Sequence, residues 1–277
     1  MSLSLHVARH IVRSAHGKPV PAGVRPGFPF ADVRDRLRHA DLAVGNLECV
    51  ISATASRKSR NTPLLAPVES APVLVDAGFD VMSVANNHVF DFGDEGFRDT
   101  LRELDYAGLS YVGESVDRRR PDRLVVRDVE AVRVGLLAWY VRGLDQHKTL
   151  ATVQEADRKV DMLVVFLHWG AEGVARVLAG QRRLAHELVD AGADIVVGSH
   201  AHVLQEHEWY RDRLIAYGLG NFVFNGMGTH RDTRIGGYLE VDVDGANLRG
   251  ARLWRVWIDD LGAPRWLDDA PTSLRAP

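Results

Sequence analysis

Short apolar runs that break off in polar residues set the pattern of this chain. Val81-Met82-Ser83-Val84 has the length and β-branched content of a buried strand, and after Ala85 it gives way to Asn86, Asn87 and His88. Residues 162–167 stop in the same manner at His168-Trp169-Gly170, and residues 195–197 at Gly198-Ser199-His200-Ala201-His202. A fourth run, 41–47, ends at Glu48. Open α/β sheets gather their chemistry beyond the carboxyl ends of the strands, so these ends are expected to share one edge.

The rest of the pattern surrounds them. Residues 3–12 alternate apolar and polar positions as a half-buried strand does, with His6, Arg9 and His10 interspersed, and the Pro- and Gly-rich stretch 18–29 reads as a loop. Apolar spacing predicts helices over 30–37, 68–77, 94–107, 152–159 and 177–191, three of them stopped by Gly78, Gly108 and Gly192. Residues 52–67 read as a polar loop made basic by Arg57, Lys58 and Arg60. Strands over 111–112, 124–129 and 132–139 complete a β/α alternation, which argues for an α/β fold with a largely parallel sheet. Beyond His202 helical spacing vanishes, and residues 204–209, 214–217, 235–243 and 248–258 read as strands. The last third is therefore expected to add antiparallel strands, as a second sheet packed on the first. Residues 1–258 are expected to form a single domain and 259–277 a C-terminal tail.

Composition narrows the options. With 277 residues, 46% of them hydrophobic and 26% charged, the chain can bury a sizeable core. A net charge of −3 offers no electrostatic footprint for nucleic acid or an anionic membrane. One cysteine, Cys49, excludes an internal disulfide framework and a thiolate metal cluster. No stretch is long and apolar enough to span a bilayer, and the first residues lack the apolar core of an export signal. The sequence as given thus reads as cytoplasmic, with export compatible only with a truncated start.

The polar ends carry the candidate chemistry. His200 and His202, one residue apart, face the same way on an extended strand and can also reach one ion from a turn. Joined by His168 and Glu48 they make a nitrogen-and-carboxylate set that suits one or two divalent ions, zinc, manganese, iron or magnesium alike. The alternative is a group of buried histidines held by hydrogen bonds. Asn87 offers a neutral amide ligand, while the adjacent His88 can exchange a proton near neutral pH. Asp91, three residues on, either fixes the His88 tautomer or caps the following helix. Asn221, in Gly218-Leu219-Gly220-Asn221-Phe222, either touches the site or organises a turn.

Several of these motifs occur in order: Gly45-Asn46-Leu47-Glu48; the run ending Asn86-Asn87-His88 with Asp91 and Gly93; His168-Trp169-Gly170 with Glu172; the run ending His200-Ala201-His202; and Tyr217 to Phe222. Together, from about residue 30 to 224, they resemble the bacterial capsule synthesis protein family CapA. Those proteins are associated with poly-γ-glutamate and belong to the calcineurin-like metallophosphatase superfamily. The resemblance implies a four-layer sandwich of two mixed β-sheets flanked by helices, with a metal centre at the sheet edge. It puts Glu48, Asn87, His168, His200 and His202 at ligand positions and His88 at that of the catalytic acid. Two departures stand out. The first strand of the family ends in Gly-Asp, whose aspartate belongs to the metal site, whereas Ala8-Arg9 stands here, and an arginine opposes a cation. His6 or His10 replaces that ligand, or the site holds one ion, or the true first strand lies outside this sequence. Gly173 also stands where the family often has an aromatic residue.

The expectation is a metal-dependent hydrolase of a phosphoester or an amide-like polymer such as poly-γ-glutamate. A metal-activated water would attack and His88, supported by Asp91, would protonate the leaving group. Lys58, Asn86 and Asn221 would meet the anionic substrate. The same parts also suit metal-assisted proton transfer in an isomerase or epimerase. A third option is a catalytically degraded binding or assembly component of capsule or polymer biosynthesis.

Overall fold

Two sheets lie face to face in the computed structural model, which describes residues 2–5, 28–56, 63–113, 123–224 and 231–274. In chain order the first elements are β1 (Ser2–Leu5), α1 (Arg34–Arg38), β2 (Leu42–Asn46), β3 (Val50–Ile51), β4 (Leu65–Ala66), α2 (Ser70–Ala77), β5 (Val81–Ser83), α3 (Gly93–Ala107) and β6 (Ser110–Val112). There follow β7 (Val125–Val129), β8 (Val132–Tyr140), α4 (Gln146–Asp157), β9 (Met162–His168), α5 (Ala179–Asp190) and β10 (Ile195–Ser199). Last come β11 (His207–Tyr210), β12 (Arg213–Ala216), β13 (Ile235–Asp244), β14 (Asn247–Ile258), β15 (Pro264–Trp266) and β16 (Thr272–Leu274).

The first sheet runs β15-β14-β13-β1-β2-β5-β6, with β16 also on β14; the second runs β11-β12-β10-β9-β8-β7; β3 and β4 form a small pair. Both large sheets are mixed: β1, β2, β5 and β6 are parallel neighbours while β13 and β14 run antiparallel, and β8, β9, β10 and β12 are parallel while β7 and β11 run antiparallel.

Alternation along the strands builds three apolar layers. Val44 and Val81 of the first sheet meet Val134, Val164 and Ile195 of the second between the sheets. Ala43 and Met82 face outward instead, onto Leu37 of α1, Leu74 of α2 and Phe97 of α3. Leu137, Val165 and Val196 face outward from the second sheet, onto Val153 of α4 and Leu184 and Leu188 of α5. The result is the helix/sheet/sheet/helix sandwich that the family resemblance implies. Because both faces are covered, β9 and β10 are buried along their whole length, which is why they read as continuous apolar runs.

The helices following the loop around Pro67 end where glycines were expected to stop them, with Gly78 and Gly108 left-handed at the C-caps. The helix expected over 152–159 begins earlier, at Gln146, because Asp145 accepts from Lys148 N and caps a first turn too polar to show apolar spacing. The helix expected over 30–37 is confined to Arg34–Arg38, and Phe30 and Val33 fill the core from the turn before it. The 204–209 strand starts at His207, Leu204 making only an isolated bridge to Leu219. Of the expected 3–12 strand, only Ser2–Leu5 is described; His6, Ala8, Arg9 and His10 lie outside the described residues, as does Lys58.

The expected C-terminal tail over 259–277 is corrected. β15 and β16 both pair with β14, Leu274 enters the layer between the sheets, Trp266 Nε1 donates to Asp32 O at 3.0 Å, and Arg265 pairs with Asp32 at 2.7 Å. Polar residues between two three-residue strands hid this pairing. Ending the chain after Ile258 should therefore lower the unfolding free energy measured in urea, by about 1.5–3 kcal/mol for Leu274 alone. An unchanged urea midpoint would restore the tail reading.

Candidate metal centre

The strands β2 and β5 of the first sheet and β9 and β10 of the second end at one edge, where they open onto each other. Register enforces this: Asn46 lies opposite Ser83 across the β2–β5 pair, and His168 opposite Ser199 across β9–β10. The residues just past each end are therefore delivered to the seam between the sheets.

Glu48 sits there with no solvent exposure. Its Oε2 accepts from Asn46 Nδ2 at 3.2 Å, and its Oε1 lies 3.6 Å from His168 Nε2 and 3.9 Å from His202 Nε2. Asn87 Oδ1 is 2.7 Å from His168 Nε2. The His200 ring is tilted against the His168 ring at 4.6 Å between centroids, and Tyr140 stands edge-on to both. One ligand atom from each of Glu48, His168 and His200 falls within a 4.8 Å span, and so does one from each of Glu172, His200 and His202.

Backbone geometry aims the last two histidines. His200 has φ +89° and His202 φ +59°, conformations that side-chain-bearing residues seldom adopt. Gly198 precedes them because the chain passes Tyr217 closely: a Cβ there would stand 1.9 Å from Tyr217 O. Tyr217 O also accepts the Trp169 indole N–H at 2.8 Å. Burial first, and then the Glu208 carboxylate that accepts its proton at 2.8 Å, push the Tyr217 phenol pKa up, so the phenol stays a protonated structural donor.

Hydrogen bonds on the far sides of the rings decide which nitrogen can ligate. Asn221 Nδ2 donates to Thr233 O at 2.9 Å, so its Oδ1, 3.0 Å from His202 Nδ1, is an acceptor there. His202 Nδ1 thus carries a proton, and the lone pair is on Nε2, the atom facing Glu48. For His168, Ser199 Oγ, itself 3.4 Å from Leu167 O, lies 2.8 Å from Nδ1 and holds the ring so that Nε2 faces Asn87 Oδ1 at 2.7 Å and Glu48 Oε1 at 3.6 Å. Ligand atoms about 2.1 Å from a shared ion stand roughly 3–4 Å apart, and Glu48 Oε1 keeps that spacing from His168 Nε2 and from His202 Nε2. The donor set fits a divalent ion and, lacking thiolate, does not choose among zinc, manganese, iron and magnesium.

Beside this group, His88 Nδ1 lies 2.7 Å from Asp91 Oδ2 in a tight turn closed by Asp91 N donating to His88 O. The same carboxylate oxygen accepts from Leu64 N at 2.7 Å, and both side chains are buried. Asp91 does not cap the next helix: α3 has Phe92 at its N-cap and no side-chain cap. Of the two readings of Asp91, the structure favours contact with His88.

Two substrate-facing expectations are corrected. Asn86 is buried, its Nδ2 donating to Asn46 Oδ1 and Leu47 O and its Oδ1 accepting from His88 N, so it shapes the turn. Asn221 is wholly buried behind His202. Both amides are spent on holding the site. Ser199 and Glu172 had no role in the sequence reading. In the sequence Ser199 is only one residue of the polar break before His200, and its place opposite His168 emerges from the β9–β10 register, while Glu172 follows a Trp-Gly turn whose course the sequence does not reveal.

The profile of a family described as bacterial capsule synthesis protein PGA_cap matches residues 5–226. The capsule biosynthesis protein CapA of Bacillus anthracis is 32% identical over 246 residues, covering 80% of this chain and 60% of that protein. The PGA biosynthesis protein CapA of Bacillus subtilis is 33% identical over 214 residues, covering 71% of this chain and 56% of that protein. This chain therefore spans less than two thirds of either relative. A solved phosphatase structure from Mycoplasma pneumoniae shares the fold, with a TM-score of 0.59 at 11% identity over 94% of each chain.

If Ser199 orients His168, then Ser199→Ala should weaken divalent-ion binding by roughly 10- to 100-fold. Titration calorimetry with manganese measures this, and an unchanged affinity would remove Ser199 from the site.

Proposed function

The chain belongs to the bacterial capsule synthesis protein family, and from that premise we propose that it is a metal-dependent hydrolase of a phosphoester or of an amide-like anionic polymer such as poly-γ-glutamate. What carries the reading is one juxtaposition: a wholly buried carboxylate, Glu48, among His168 and His202, with the Asp91-held His88 following directly on Asn87, whose Oδ1 lies 2.7 Å from His168 Nε2. Glu48, Asn87, His168, His200 and His202 would hold one or two divalent ions. The chemistry such an ion supplies when bound is Lewis acidity, which polarises the scissile group and acidifies an attacking water.

The protein's own part is proton delivery and orientation. Asp91 Oδ2, which also accepts from Leu64 N, meets the His88 ring at Nδ1, so it fixes the orientation of the imidazole and leaves Nε2 on the opposite side of the ring. A protonated His88 then donates from Nε2 to the leaving group, and the nearby carboxylate steadies the imidazolium. Asn221 and Ser199 keep the ligand rings from turning. The fold likeness to a phosphatase supports the phosphoester option, and the names of the Bacillus relatives support a polymer of glutamate as the material handled.

A second reading also has an observation behind it. Those relatives are named for biosynthesis, which fits a site that binds a growing anionic polymer and does not cut it. Among the described residues no helix is long and apolar enough to cross a membrane.

Two variants separate the roles. His88→Ala should keep its metal by elemental analysis while losing about 10²- to 10⁴-fold in turnover of a bis-nitrophenyl phosphodiester or of poly-γ-glutamate. His200→Ala should lose bound metal. Equal metal loss in both would place His88 among the ligands, unchanged metal in His200→Ala would remove His200 from them, and wild-type inactivity with metal bound would favour the binding reading.

A further inference from the structure

Tyr140 ends β8 beside the site, and its place there follows from alternation along the strand. Val134, Leu136 and Ala138 face the layer between the sheets, so Tyr140 is the next position on that face. Its partner across β8–β9 is His168, which ends the matching row of Val164 and Phe166. The two side chains thus leave neighbouring parallel strands on one face. The phenol ring stands edge-on to His168 at 5.7 Å and to His200 at 6.4 Å between centroids.

Its hydroxyl sets it apart. Tyr217 and Tyr238 are wholly buried and spend theirs on Glu208 Oε2 at 2.8 Å and on Arg36 O at 3.1 Å. Tyr140 is half-buried, and among the described residues its hydroxyl has no hydrogen-bond partner. Ser199, Asn221 and Asn86 are committed to holding rings and turn, and the carboxylates of Glu48 and Glu172, when ionised, only accept. A phenol in this position lays an apolar ring against the histidines and adds a donor that none of those bonds consumes.

We propose that Tyr140 is a substrate-binding residue whose hydroxyl donates to an anionic oxygen, phosphate or carboxylate, of the group held at the histidines. This rests on the metal-dependent reading above, which puts such an oxygen beside His168 and His200. The acceptor is charged, so the bond is worth more than one between neutral groups. An oxygen that bears its charge before and during the reaction gains from the donor in both states, so losing the hydroxyl raises KM and leaves kcat nearly unchanged. The ring needs no hydroxyl to pack, and Tyr140→Phe removes the donor alone.

The test is titration calorimetry of manganese-loaded protein with inorganic phosphate and, separately, with glutarate as a carboxylate probe. Tyr140→Phe should keep the wild-type melting temperature and manganese content while weakening at least one of the two anions by about tenfold. A loss confined to phosphate supports the role with a phosphoester as substrate, and a loss confined to glutarate supports it with a polymer of glutamate. Unchanged affinity for both anions, or loaded wild type that binds neither, would overturn the role of Tyr140. So would manganese loss in Tyr140→Phe, which would make the hydroxyl a support for the ligand rings. Loaded wild type that binds an anion but turns over neither ester nor polymer would overturn hydrolysis and leave the calorimetry to decide Tyr140. Wild type that binds no manganese would overturn both.

Discussion

Glu48 is a carboxylate with no exposure, lodged at the seam of two stacked sheets, and the rest of the site depends on how that charge is compensated. An isolated ionised carboxylate in such a place costs many kcal/mol, so it must be met by hydrogen bonds, protonated partners or a cation. Asn46 supplies one hydrogen bond, while the nitrogens of His168 and His202 stand 3.6 and 3.9 Å away, beyond hydrogen-bond reach, and one ligand atom from each of Glu48, His168 and His200 falls within a 4.8 Å span. The carboxylate comes from the first sheet and the imidazoles from the second. Glu48 is compensated only while the sheets stay stacked, so the apolar layer between them, Val44 and Val81 against Val164 and Ile195, also holds the site together.

A common device sets the direction of each ring. His202 is held through its Nδ1 by Asn221, His168 by Ser199 and His88 by Asp91, and in each case the partner leaves Nε2 on the opposite side of the ring. The partners are themselves anchored to backbone: Asn221 to Thr233 O, Ser199 to Leu167 O, and Asp91 to Leu64 N. Packing behind them leaves little room to give. A Cβ on Gly236 would stand 1.5 Å from Asn221 O, so β13 can press against Asn221 only with glycine at that point.

How much of this was legible in the sequence follows from range. The strand ends at Glu48, Asn87, His168 and His200 were readable because a buried strand leaves an apolar run and the polar break marks its end. The β/α alternation implied the parallel order within each sheet, but what brings Glu48 and Asn87 of the first sheet to His168 and His200 of the second is the stacking of the two sheets, which local periodicity does not show. What could not be read is contact between residues that share no period. Nothing local distinguishes Asn221, buried against His202, from an asparagine in a turn, and Asn86 reads the same whether it faces substrate or Leu47 O. The strands β15 and β16 were missed because three residues carry too little pattern, and Leu274 declares itself as core only once β14 is beside it.

The conformations of His200 and His202 show where stability has been given up. Positive φ at two residues with side chains costs of the order of 1–3 kcal/mol each and persists only where surrounding contacts dictate it. Those contacts are present: Asn221 on the His202 ring, Gly173 N on Ala201 O, and the close passage of Gly198 against Tyr217 O. An ordinary strand exit would relieve the strain and turn the imidazoles away from Glu48, leaving the carboxylate buried without its partners. The strained turn is thus the less costly arrangement once Glu48 is in place, and it lets a short segment after one strand put two nitrogens on an acid supplied by the opposite sheet.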